Sequence, residues 1–147
     1  MIFLIVPLLF SQLDEDHIRM ITSIKVAELS QILELNEHQI AEMIPKVRAL
    51  EANRFRFQKQ RRRLIKELKI LIRSRSKREF LKDKVAEYKE LKKEFEKQEE
   101  RLNNEIERLL TLEQKVKFFI FQEEFENRLR KTIMTIKRRQ MPFMHRE

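Results

Sequence analysis

Leu35-Asn36-Glu37-His38-Gln39 and Leu110-Thr111-Leu112-Glu113-Gln114 spell one pattern twice, 75 residues apart: a leucine, a helix-capping residue, two variable positions and a glutamine. Local physics gives each stretch a reading. Asn36 and Thr111 serve as N-caps, their side-chain oxygens accepting a backbone N–H from the first helical turn. Gln39 and Gln114, three residues on, reach back to the cap's own N–H and complete a capping box. Leu35 and Leu110 sit just outside the caps, where an apolar residue staples the entering chain to the helix. One such box is common. Two matching boxes opening two apolar helices decide the fold in a chain with almost no other punctuation.

The chain of 147 residues has no Gly, three Pro, no Cys and no Trp. Sheet proteins need Gly-bearing turns, so a Gly-free chain that is 39% charged reads as long helices joined by minimal loops. Its 41% apolar content suffices for stripes and not for a thick globule. Residues 16–33 show helical spacing through Ile18, Ile21, Ile24, Leu29, Ile32 and Leu33, with Val26 off the stripe. The first box opens a second helix carrying Ile40, Met43, Ile44, Val47, Leu50, Leu64, Ile65, Leu68, Leu71 and Ile72. Pro45 falls inside it, where a kink and not a stop is expected because the stripe continues in register.

Ser74-Arg75-Ser76 is the best central break, and Ser76 with Glu79 spells a third box. The following helix has a heptad at Leu81, Tyr88, Phe95, Leu102 and Leu109. Its companion positions, Val85, Lys92, Glu99 and Ile106, are apolar at the ends and charged between, so good packing is expected at both ends and weak packing at the waist. The fourth helix, opened by Thr111, is rich in Phe (Phe118, Phe119, Phe121, Phe125) and is read as core or as an exposed client surface. Helices over 37–73 and 76–109 of ~50 Å each form an antiparallel hairpin. Shorter first and fourth helices then lie at the end where the two boxes meet.

The net charge is +9 and unevenly placed. Residues 53–78 hold twelve Lys or Arg against one acid, Glu67, whereas residues 1–52 hold eight acids and four bases. Within the block, Arg54-Phe55-Arg56-Phe57 and Arg61-Arg62-Arg63 offer charge with apolar contact, suited to acidic, flexible or unfolded protein partners. The competing reading is a solvated helix face. Residues 1–11 (MIFLIVPLLFS) resemble a signal-peptide core without its basic n-region, too short to span a bilayer. The expected organisation is a leader over 1–11, one all-α domain over 12–139 and a flexible tail over 140–147.

Two boxes in this order, behind a leader and ahead of a Phe-rich helix, resemble the LTxxQ-motif family of bacterial envelope proteins, the Spy and CpxP group and its metal-sensing relatives. The match rests on Leu110, Thr111 and Gln114, and on the diverged Leu35, Asn36 and Gln39, where Asn stands in place of Thr. The resemblance implies an extended four-helix hooked hairpin, an antiparallel dimer, a periplasmic location and no enzymatic activity. It implies an envelope chaperone or stress-signalling modulator that binds proteins, with no cofactor, no nucleic acid and no integral span once the leader is removed. A periplasmic metal sensor is the alternative, with His17 and His38 as weak candidate ligands and soft donors in Met141-Pro142-Phe143-Met144-His145. A cytosolic basic coiled coil that binds nucleic acid or is purely structural is the second. No nucleophile, phosphate loop or paired carboxylate arrangement points to catalysis.

Overall fold

The computed structural model describes residues 5–140, with side chains from Asp14 onward except those of Ile133, Lys137 and Gln140. The fold is all-α. Four helices follow one another: α1 (Ile5–Ile32), α2 (Glu37–Arg73), α3 (Arg78–Glu107) and α4 (Leu112–Gln140), and no strand occurs among the described residues. The expected leader and tail fall partly outside the description, at residues 1–4 and 141–147. Residues 5–11 continue α1 without a break. α1 and α4, with 28 and 29 residues, are as long as α3 with 30, not shorter as the sequence suggested.

α2 and α3 are the arms of the hairpin, and α2 runs through Pro45 uninterrupted. Lacking Gly, the chain ends α1 and α2 with ordinary residues in the left-handed region, Glu34 (φ 51°) and Arg75 (φ 52°). In each case the next N–H returns to a carbonyl five residues back, Leu35 to Ser30 and Ser76 to Leu71, which is a Schellman closure. The expected third capping box does not form. The Schellman turn uses Ser76, whose hydroxyl pairs with that of Ser74 at 2.8 Å, and α3 starts behind Lys77 with no side-chain cap.

The core lies at the box end of the hairpin. Leu29 and Leu33 of α1, Met43, Val47 and Leu50 of α2, Leu102 and Ile106 of α3, and Phe118, Phe121 and Phe125 of α4 form one buried cluster. The stripe α1 turns inward overlaps the expected one at Ile18, Leu29 and Leu33 and departs from it elsewhere. Ile18, Thr22, Lys25, Val26, Leu29 and Leu33 are buried, whereas Ile24 and Ile32 are exposed. Ile18, Thr22, Lys25 or Val26, Leu29 and Leu33 step by three or four residues, and Ile24 and Ile32 fall just outside that face.

Packing decays towards the turn at 74–77. On the hairpin arms beyond the cluster, Leu64 is the one buried residue among those described, and Ile65, Ile72, Phe80 and Val85 are exposed. The expected tight packing of α3 at its turn end through Val85 is therefore corrected. Two helices bury a single seam, and the described side chains of α1 reach along α2 no further than Lys59, which Asp14 meets.

Candidate functional site

The two boxes meet in one clasp. Gln39 Oε1 accepts from its own cap, Asn36 N–H, at 3.1 Å, and Gln114 Oε1 accepts from Thr111 N–H at 3.0 Å. The caps reciprocate through Asn36 Oδ1 (2.8 Å) and Thr111 Oγ1 (3.3 Å). Each glutamine then spends its amide on the other corner. Gln39 Nε2 donates to Leu109 O and to Gln114 Oε1, both at 2.9 Å. Gln114 Nε2 donates to Leu33 O at 3.1 Å and to Gln39 Oε1 at 3.4 Å. Both side chains thus use two donors and two acceptor sites, their full capacity. Leu35 and Leu110 are buried beside them. The motif residues hold the α1–α2 and α3–α4 corners together, and they are a structural device.

Above the clasp, five charged side chains from all four helices converge. Lys25 (α1) hydrogen-bonds Glu51 (α2) and stands over the Phe125 ring at 4.7 Å. Arg54 (α2) donates to Glu99 (α3) through Nε at 2.7 Å and to Glu126 (α4) through Nη1 at 3.2 Å. Burial pushes the Lys25 ammonium below the usual lysine range, against the pull of Glu51. Burial also works against the Arg54 guanidinium, but the hydrogen bond and charge of Glu99 overcome it and raise its pKa. Arg54 is therefore a structural cation whose fork is already occupied.

Beside this network α1 and α4 part, leaving a cleft of about 720 Å³. Its walls are apolar at Ile21, Phe55, Phe95 and Leu129, and Arg62 and Arg130 stand among its cations. His17 lies against Phe55 in the same cleft, ring centroids 5.6 Å apart.

The candidate partner-binding residues are thus dispersed, not gathered on one surface. Phe55 and Arg62 line the cleft, while Arg54 is bound into the network below it. Phe57 stacks on Phe95 at 4.2 Å on the hairpin side that carries Arg56. Arg61 is exposed and donates to Gln58, and Arg63 faces Glu67 and Glu87. Successive residues of a helix point 100° apart, so a run in sequence is a fan in space.

The imagined pairing of His17 with His38 also fails geometrically. His38 is in the first turn of α2, whereas His17 sits at Phe55, seventeen residues and about 25 Å further along that helix. No cluster of three metal-ligating side chains occurs among the described residues. No described helix is long and apolar enough to cross a membrane.

Sequence reading missed Lys25, Glu51 and Glu126, which looked like ordinary surface charges. Glu99 carried a signal, because it occupies a heptad companion position where an apolar residue is usual. Comparison with family models, curated proteins and solved structures finds no match to this chain.

Proposed function

We propose that the chain is a non-enzymatic helical binding protein of the bacterial envelope, similar to Spy and CpxP, that holds flexible or unfolded protein segments as a chaperone or signalling modulator. The cleft between α1 and α4 carries this reading. It joins apolar walls to unpaired cations on a frame that the clasp and the charge network keep open. Arg62 and Arg130 of the cleft have no carboxylate within 4 Å among the described residues, so their field is available to an acidic partner. Long-range charge raises the encounter rate and apolar walls prolong the contact. In this reading the protein is periplasmic and works as an antiparallel dimer.

The purified protein should then slow the aggregation of a chemically unfolded client. The joint substitution of Arg61, Arg62 and Arg63 by Glu, or added salt, should weaken the effect. Failure to suppress aggregation, together with binding indifferent to salt and to these charges, refutes the chaperone reading. N-terminal sequencing of the exported protein tests the location, and a start at Gln12 is the expected result. Sedimentation equilibrium tests the dimer.

A further inference from the structure

The face of the hairpin that α4 covers at the box end continues to the turn, uncovered by any described side chain. Arg54 and Asn103 mark it, since Glu126 and Gln122 of α4 bond to them. Counting from Arg54 by helical repeats reaches Arg61, Ile65, Leu68 and Ile72. Counting back from Asn103 reaches Lys89, Val85, Lys82 and Arg78. The opposite face is the one laced by Lys84–Glu67 and Arg63–Glu87.

On the uncovered face two apolar strips run side by side. Ile65, Leu68 and Ile72 form one on α2, Leu81 and Val85 form the other on α3, each flooring its own shallow depression, and the helical count sets the two on one face. Ile72 is 66% exposed and Val85 41%. Cations flank them on both outer edges, Lys69 and Arg73 on α2 and Arg78, Lys82 and Lys89 on α3, none with a carboxylate within 4 Å among the described residues.

We infer that this groove is the docking site of an acidic amphipathic helix of a partner protein. The argument is continuity with the α4 interface and charge complementarity. At the box end the chain fills the same groove with a helix of its own, inserting Phe118, Phe121 and Phe125 and presenting Glu126 to a groove-edge arginine. Towards the turn the groove keeps the apolar floor and cationic edges but has no occupant among the described residues. A helix with apolar residues at i, i+3/i+4 and i+7 fits the floor, and acids on its flanks meet the two cationic edges. The strip from Ile65 to Ile72 is about 10 Å long, so two to three turns suffice. Five unpaired cations edge this groove, so a second copy bringing the same groove face to face meets like charge. The site is separate from the cleft and stands or falls independently of the function proposed above.

The test uses the full chain and a fluorescein-labelled 14-residue peptide alternating Leu/Ile at helical spacing with Glu, read by anisotropy. Binding should appear with the acidic peptide and weaken at least tenfold in Ile72→Glu and in the Lys69→Glu, Lys82→Glu double variant. Lys97→Glu, exposed on α3 about 120° round the helix from Asn103, serves as the charge control and should shift it less. An isosteric peptide with Lys in place of Glu should not bind. The inference is overturned if the acidic peptide fails to bind or if the Lys peptide binds equally. It is also overturned if the Lys97 control weakens binding as much as the groove variants. Two further results exclude it: dimerisation of the free protein that Ile72→Glu abolishes, which assigns the groove to a second copy, and groove-dependent binding to anionic vesicles without peptide binding. Circular dichroism of each variant confirms that these exposed positions leave the helices intact.

Discussion

Gln39→Glu separates a clasp from a pair of ordinary helix caps. Capping boxes accept Glu and Gln alike, and a carboxylate in the first turn of a helix gains about 0.3–1 kcal/mol from the macrodipole. If Gln39 served its own helix alone, the substitution would be neutral or slightly stabilising. In the structure its amide nitrogen donates at 2.9 Å to both Leu109 O and Gln114 Oε1. A carboxylate cannot donate. It loses two hydrogen bonds of ~1 kcal/mol each and places negative charge against two carbonyl oxygens in a part-buried corner. Less the dipole gain, the net loss is ~2 kcal/mol. Urea unfolding followed by far-ultraviolet circular dichroism at pH 7 reads it as a lower midpoint at unchanged slope. The new carboxyl regains a donor when protonated. Its folded pKa therefore lies above the unfolded value, and the deficit should shrink as pH falls towards and through ~4.3. Gln114→Glu should behave alike, and the Gln39→Ala, Gln114→Ala cycle should show coupling of ~1 kcal/mol. A neutral Gln39→Glu with additive alanine variants refutes the clasp.

The Phe-rich helix should divide by position: Phe121→Ala and Phe125→Ala, at 4% and 5% exposure, cost ~3–5 kcal/mol in thermal or urea unfolding, whereas Phe119→Ala, at 66%, stays within ~0.5 kcal/mol. Lys25→Met leaves Glu51 with Arg54 alone, 3.5 Å away, and should cost about 3 kcal/mol at neutral pH. Because burial lowers the folded pKa of Lys25 below 10.5, the unfolded chain binds more protons between the two values. Wild-type stability should therefore rise relative to Lys25→Met as pH climbs through that alkaline window, a trend readable in urea midpoints. Arg75→Gly relieves a left-handed residue that costs ~1–2 kcal/mol, offset by ~0.5–1 kcal/mol of extra unfolded-state entropy, so its melting temperature should hold or rise slightly. A clear fall would show that the Schellman turn depends on the arginine side chain.

Helix starts, the hairpin and the meeting of the two boxes were legible because their causes are local or follow from length. A cap is a contact across three residues, and two long arms around a three-residue break return to their origin. The side chain chosen for each contact was not legible. Ser76–Glu79 matches a capping box as well as Asn36–Gln39 does, yet Ser76 closes the preceding helix, because termination at Arg75 claims its backbone N–H first. In α1, apolar residues outnumber the places facing the core. Burial therefore took Lys25 and Thr22 and left Ile24 and Ile32 outside, an outcome fixed by the helix's rotation and not by its composition.

Charge was the least legible feature, because its meaning depends on the level at which α4 crosses the hairpin. Arg54 and Arg61 are seven residues apart in one basic run and share one helix face. At Arg54 the helices bring Glu51, Glu99 and Glu126 within reach, so the cation becomes part of the frame. Two turns further on, Arg61 finds only Gln58. The same residue type on the same face thus changes from a structural to an available cation within about 10 Å. A block that reads as uniform in sequence is divided by its neighbours: Arg54, Lys59 and Arg63 find acids on other helices, whereas Arg56, Arg61 and Arg62 find none within 4 Å among the described residues.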